Sequence, residues 1–130
     1  MQHARGLFLL KSIPRTKNDA VMFDIDDTLI YSHSGKPMVA SVELARSAKD
    51  MGYKIIIMTA RQGTKDNYYY TSAELKLLDI PYDELFFVSA FEKTSLKRKT
   101  GYRYVLSVGD LWTDLGESLH WIKLPNTSTY

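Results

Sequence analysis

The segment Val21-Met22-Phe23-Asp24-Ile25-Asp26-Asp27-Thr28-Leu29 passes from apolar residues directly into carboxylates. So short an apolar run reads as a buried strand, so Asp24 and Asp26 sit where that strand leaves the core. The same transition recurs in Val105-Leu106-Ser107-Val108-Gly109-Asp110-Leu111-Trp112-Thr113-Asp114-Leu115, which puts Asp110 and Asp114 beyond the end of another strand. Between them, Lys54-Ile55-Ile56-Ile57-Met58-Thr59 is continuously apolar, as strands in the middle of parallel sheets are.

Outward from these runs the pattern alternates. A strand over 21–24 is followed by a helix over about 37–51, where Pro37 suits the first turn and Gly52 the stop. A second helix is predicted to start at Thr71, because Thr71-Ser72-Ala73-Glu74 has the form of a capping box, and to end before Pro81. A strand over 85–88, a short basic helix over 92–100 ended by Gly101, and strands over 104–108 and 121–124 complete the series. Strands alternating with helices imply βαβ units, hence an α/β fold of three layers, Rossmann-like, with a central parallel sheet. Ligands of such sheets bind beyond the carboxyl ends of the strands, where Asp24, Thr59 and Asp110 lie.

With 130 residues, 45% hydrophobic and 25% charged, the chain is expected to form one domain over 1–130, with 1–19 an extension whose order the sequence leaves open. The net charge of +2 is too small to argue for nucleic acid by itself. The absence of cysteine excludes disulfides, a thiolate nucleophile and a cysteine-ligated zinc site. The apolar run Leu7-Phe8-Leu9-Leu10 is too short for a signal-peptide core or a membrane span, so the expectation is a cytoplasmic protein with no membrane partner.

Carboxylates gathered without a counter-ion repel, and a hard divalent cation such as Mg²⁺ relieves them. Two carboxylates one residue apart on a chain leaving a strand can approach one phosphoryl group from different sides. Asp24 can attack phosphorus as a nucleophile, and Asp26 can act as general acid and then general base. A calcium loop would need Asp or Asn and then Gly where Thr28 and Leu29 stand. A signalling receiver domain would need an Asp after the central strand, where the chain has Thr59-Ala60-Arg61.

Phe23-Asp24-Ile25-Asp26-Asp27-Thr28-Leu29, Met58-Thr59-Ala60-Arg61, a lysine, and Gly109-Asp110-Leu111-Trp112-Thr113-Asp114-Leu115, in that order, resemble the motif set of the haloacid dehalogenase-like superfamily of phosphatases. Lys93-Thr94, Lys97-Arg98-Lys99, Gly101-Tyr102-Arg103, Trp112 and Ile122-Lys123-Leu124-Pro125-Asn126 make the chain most like the class B acid phosphatase and plant vegetative storage protein branch. The resemblance implies a Mg²⁺-dependent phosphomonoesterase working through an aspartyl-phosphate on Asp24, with Asp26 as acid/base and also a metal ligand through its backbone carbonyl. It further implies phosphate contacts from Thr28, Thr59, Ala60 and Arg61, neutralisation by Lys93, and a metal site of Asp24, Asp26, Asp110 and Asp114. Lys93 is preferred to Lys97 as the catalytic lysine, because it opens its helix after a strand. Secreted relatives have Gln or Asn where this chain has Leu111, so location and substrate are not inherited with the resemblance.

Specificity in that superfamily is implied to come from cap insertions. Here the intervals between motifs hold one helix and one strand each, with only the loop 32–37 left over, so an open site without a cap domain is expected. The substrate is then a nucleotide, a small phosphorylated metabolite or the end of a polynucleotide. A nucleic-acid 3′-end phosphatase, which the stretch from Met51-Gly52-Tyr53 to Arg61 resembles, and a phosphate-binding protein without turnover are the alternatives. Lys97, Arg98, Lys99 and Arg103 are expected to form a basic face near the site, usable by a polymer. His3, His33 and His120 read as solvated or packing residues, and Tyr68-Tyr69-Tyr70 as core or interface rather than a stacking platform.

Overall fold

The apolar runs assemble into a five-stranded sheet in the order β3-β2-β1-β4-β5, every pairing parallel. The strands are β1 (Asp19–Phe23), β2 (Lys54–Thr59), β3 (Glu84–Phe87), β4 (Arg103–Gly109) and β5 (His120–Lys123). The helices are α1 (Gln2–Ser12), α2 (Val39–Asp50), α3 (Lys65–Leu77) and α4 (Lys93–Thr100). A computed structural model describes residues 2–125, with side chains from residue 4 onward, so His3 and Asn126 lie outside what is described below.

Alternation within the strands divides the core. Val21, Phe23, Ile55, Ile57, Leu106 and Val108 face one way and pack with Leu10 of α1, Val42 and Ala45 of α2 and Leu75 of α3. Ala20, Met22, Ile56, Met58 and Tyr104 face the other way, where Leu96 of α4 meets them. Between Ala20 and Val21 the pairing with β4 slips by one residue, which keeps Leu106 on the first face and turns Ser107 to the α4 side. No cap domain occurs among the described residues: α2 is the one helix between the ends of β1 and β2, and α3 the one helix between the ends of β2 and β3.

Three local expectations are corrected. α3 starts at Lys65, not at Thr71, because Thr64 caps it by accepting from the Asn67 N–H at 3.1 Å. Thr71 lies inside that helix with its hydroxyl in a tertiary bond. α2 starts at Val39, since Pro37 is bridged to Ile30 in a small hairpin. The run 7–10 belongs to α1, a helix the sequence reading did not anticipate; Tyr53 fastens it by donating to the Leu10 carbonyl at 2.8 Å.

Candidate active site

Asp24 is the first residue beyond β1, and its N–H donates to the Val108 carbonyl at 3.1 Å, tying together the ends of the two central strands. The chain then makes one tight turn in which Thr28, Leu29 and Ile30 all donate to the Ile25 carbonyl. Asp27 takes φ of 60° inside it, a region Asp tolerates better than most residues, and accepts from Ser32 at 3.0 Å. The turn leaves Asp24 and Asp26 on one cleft of about 380 Å³, lined also by Ala60, Arg61, Lys93 and Asp110.

Asp24 and Asp110 at the cleft floor and Asp114 buried behind them each bring an oxygen within 4.8 Å of the others. Lys93 lies between them, 2% exposed, with Nζ 3.0 Å from Asp24 Oδ1 and 2.6 Å from Asp114 Oδ1. The second oxygen of Asp114 accepts from the Leu111 N–H at 3.1 Å. This packing explains Gly109, since a Cβ there would collide with the Asp114 carboxylate. Burial pushes the Asp24 carboxyl well above the usual carboxylate range, with Asp114 and the hydrogen bond to Asp110 acting in the same sense and Lys93 opposing. Asp110 is raised too, chiefly by burial, with Asp114 and Asp27 adding to it. Burial works against the Lys93 ammonium, but Asp24 and Asp114 outweigh it and hold its pKa above the ordinary value.

Three carboxylates around one ammonium leave two negative charges in a buried, all-oxygen donor set. That set fits a hard divalent cation, and the raised carboxyls mark the charge it would relieve. Asp24 and Asp110 have the oxygens to hold it, whereas both oxygens of Asp114 are engaged by Lys93 and Leu111, so Asp114 supports the site from behind.

The other expected residues divide. Thr59 ends β2, buried, its Oγ1 accepting from the Arg61 N–H at 3.2 Å, and Ala60 lines the cleft. Thr28 does not reach the cleft; it is fully buried in the turn, and its hydroxyl has no partner among the described residues. Arg61 lines the cleft with its guanidinium on Asp26, at 3.0 and 2.8 Å, and with Nη1 on Thr71 and Glu74, at 3.0 and 2.8 Å. The sequence reading did not single out Thr71 and Glu74 as partners of Arg61. Their spacing of three along a helix, facing a nearby arginine, was the available signal, and it was read as a cap.

Lys97 does not lie on an exposed face. It is 1% exposed, and its ammonium donates to Ser107 Oγ at 3.0 Å and to the carbonyls of Asp114 and Gly116. Burial lowers its pKa to about 8, Lys93 adding to the effect while Asp114 and Glu117 oppose it. Lys97→Ala is therefore expected to lower stability by about 3 kcal/mol, from a cavity and two orphaned carbonyls, which thermal melting would show. An unchanged melting temperature would contradict this packing. The expected basic face is dissolved further: Arg98 pairs with Glu117, and Arg103 pairs with Asp19 at the strand starts, the far end from the site. Tyr68, Tyr69 and Tyr70 are exposed on α3 rather than in the core. His33 is exposed beside the Tyr31 ring and His120 is half-buried on β5, neither among the carboxylates. Beside the cleft, Trp112 is 69% exposed and Lys123 Nζ lies 5.6 Å from its ring centre.

The family description of the HAD superfamily, subfamily IIIB (acid phosphatase), matches residues 31–130. The chain belongs to that family. The match begins just after the turn that carries Asp24 and Asp26. In fold it is similar to a solved structure of the Pnkp1/Rnl/Hen1 complex, with TM-score 0.64, 18% identity, and coverage of 86% of this chain and 47% of that one. It is likewise similar to a structure of the Pnkp1/Rnl/Hen1 RNA repair complex, with TM-score 0.60, 16% identity, and coverage of 88% and 45%. The chain thus spans about half the length of these relatives, and at such identities the likeness concerns the fold. No match is found among curated proteins. No helix among the described residues is long and apolar enough to cross a membrane.

Proposed function

We propose that the chain is a Mg²⁺-dependent phosphomonoesterase that works through an aspartyl-phosphate on Asp24. The observation that carries this reading is the placement of the Asp24 carboxylate at the cleft floor with Lys93 Nζ 3.0 Å away. An Asp24 oxygen attacks phosphorus while the bond to the leaving oxygen breaks, and Asp26 gives that oxygen its proton. Asp26 then takes a proton from water, the water oxygen bonds to phosphorus, and the bond to Asp24 breaks to release inorganic phosphate. Lys93 stays beside the nucleophile and offsets its charge and that of the phosphate, while Asp114 holds Lys93 in place. Mg²⁺, when bound by Asp24 and Asp110, with the backbone carbonyl of Asp26 as a further ligand, would supply further neutralisation of the transferring group.

An uncapped cleft accepts substrates by what flanks it rather than by enclosure. Trp112 with Lys123 beside it offers a ring to a base and a cation to any further phosphate, which favours a nucleotide or a polynucleotide end over a sugar phosphate. The fold likeness to a chain of an RNA repair complex points the same way, and a 3′-phosphorylated end is the second reading. Phosphate release measured with Mg²⁺ over nucleotides, sugar phosphates and 3′-phosphorylated oligonucleotides tests both. Release from nucleotides or oligonucleotides in preference to sugar phosphates is expected. No release from any of them would leave a phosphate-binding protein.

A further inference from the structure

We infer that Glu74, assisted by Thr71, is a positioning residue for Asp26 and acts on it through Arg61. This rests on reading Asp26 as the acid/base. Every nitrogen of the guanidinium is engaged: Nε and Nη2 hold the two oxygens of Asp26 at 3.0 and 2.8 Å, and Nη1 donates to Glu74 Oε1 at 2.8 Å and Thr71 Oγ1 at 3.0 Å. The three side chains grade from shielded to open. Glu74 is 15% exposed, Arg61 17% and Asp26 40%, so the support lies on the helix and the supported carboxylate at the cleft rim.

A carboxylate that open, on a loop, has several rotamers available, and a proton donor must hold one of them relative to the leaving oxygen. A planar guanidinium bonding both oxygens fixes the carboxylate only if its own plane is fixed. The strand end fixes one part of Arg61, since its N–H is held by Thr59 Oγ1. The far end, after a long flexible stem, is fixed by Glu74 and Thr71. These two residues stand on one face of α3, three positions apart, and Thr71 is fully buried, so the brace moves only if the helix moves. Neither lines the cleft, so their reach into it runs through Arg61. Their loss should therefore disturb proton transfer to the leaving group and leave substrate binding alone.

The test compares an alkyl phosphate, which needs its leaving oxygen protonated, with an aryl phosphate that needs little help, both with Mg²⁺. Glu74→Ala is expected to lower kcat about tenfold or more on the alkyl ester and less than about threefold on the aryl ester, with KM unchanged on both. Glu74→Gln keeps an oxygen that accepts from Nη1 and should recover most of the loss. Thr71→Val, close in shape, should show the same bias more weakly, and it carries the test if Glu74→Ala does not fold. Equal losses on the two esters, a raised KM, or a Gln variant no better than Ala would overturn the inference. Asp26→Asn is the reference. If it shows the leaving-group bias and neither α3 variant does, the positioning role alone fails; if it shows none, the acid/base reading of Asp26 fails and the inference with it.

Discussion

Asp24→Asn is expected to abolish turnover, by at least ~10³ in kcat or about 4 kcal/mol of barrier, while leaving the metal-free protein no less stable than its parent. The amide oxygen cannot form the acyl phosphate, so the proposed covalent route closes. The stability half follows from electrostatics. With burial, Asp114, Asp110 and Lys93 all included, the site holds the Asp24 carboxyl well above its ordinary range, which means the folded protein prefers that group uncharged. Asn supplies an uncharged group of the same shape, and Lys93 keeps Asp114 as its partner. Turnover retained in this variant would remove the covalent mechanism, and a lower melting temperature would show that the charged carboxylate is a net support.

The second large effect joins Mg²⁺ to pH. Asp24 and Asp110 are both raised above the ordinary carboxyl value of 3.8, so what they contribute to stability is complete below that pH and is lost as pH rises through their folded values. Asp19 runs the other way. Its carboxyl is lowered to about 2, chiefly by the Arg103 hydrogen bonds, so its contribution is present above the ordinary range and is lost as pH falls through about 2. Metal-free protein should accordingly weaken from mildly acidic toward neutral pH. Mg²⁺ at about a hundred times its Kd should restore about 2.7 kcal/mol at neutral pH, a rise of roughly 10 °C in Tm for a domain of this size, and less at pH 5, where protons compete for the same oxygens. Asp110→Ala should remove most of that response. A Tm indifferent to Mg²⁺ at neutral pH, or a response that survives Asp110→Ala, would exclude this cluster as the cation site.

What could be read ahead of the structure follows the range of each interaction. β2 runs over the six residues read as its strand, because a continuous apolar run in a parallel sheet leaves no other outcome. Asp24, Asp110 and Asp114 were legible as a group because each follows such a run, and the order of strands then brings their ends together. The start of α3 was not, since Thr64 and Thr71 both head cap-like tetrads and only the tertiary bond to Arg61 decides between them. Lys97 defeats one-dimensional reading for a similar reason: a basic helix turn reads as solvated, whereas three oxygen acceptors from β4 and the following turn were waiting inside. Arg103 was grouped with the site because it follows the basic helix closely in sequence, but it opens β4, and the seven residues of that strand separate it from the end of the sheet where the carboxylates lie.

The second face of the sheet lies under α4, a helix of eight residues whose buried side chains are Lys93 and Lys97, with Leu96 only partly covered. Anchors of that kind release more readily than the aliphatic packing that holds α2, so α4 belongs to the part of the molecule that opens at low free energy. Amide hydrogens over 93–100 should exchange well before those of β1 and β2. Each such opening withdraws Lys93 from Asp24 while the sheet remains paired. Warming should therefore silence the protein at temperatures where its circular dichroism still reports a folded chain.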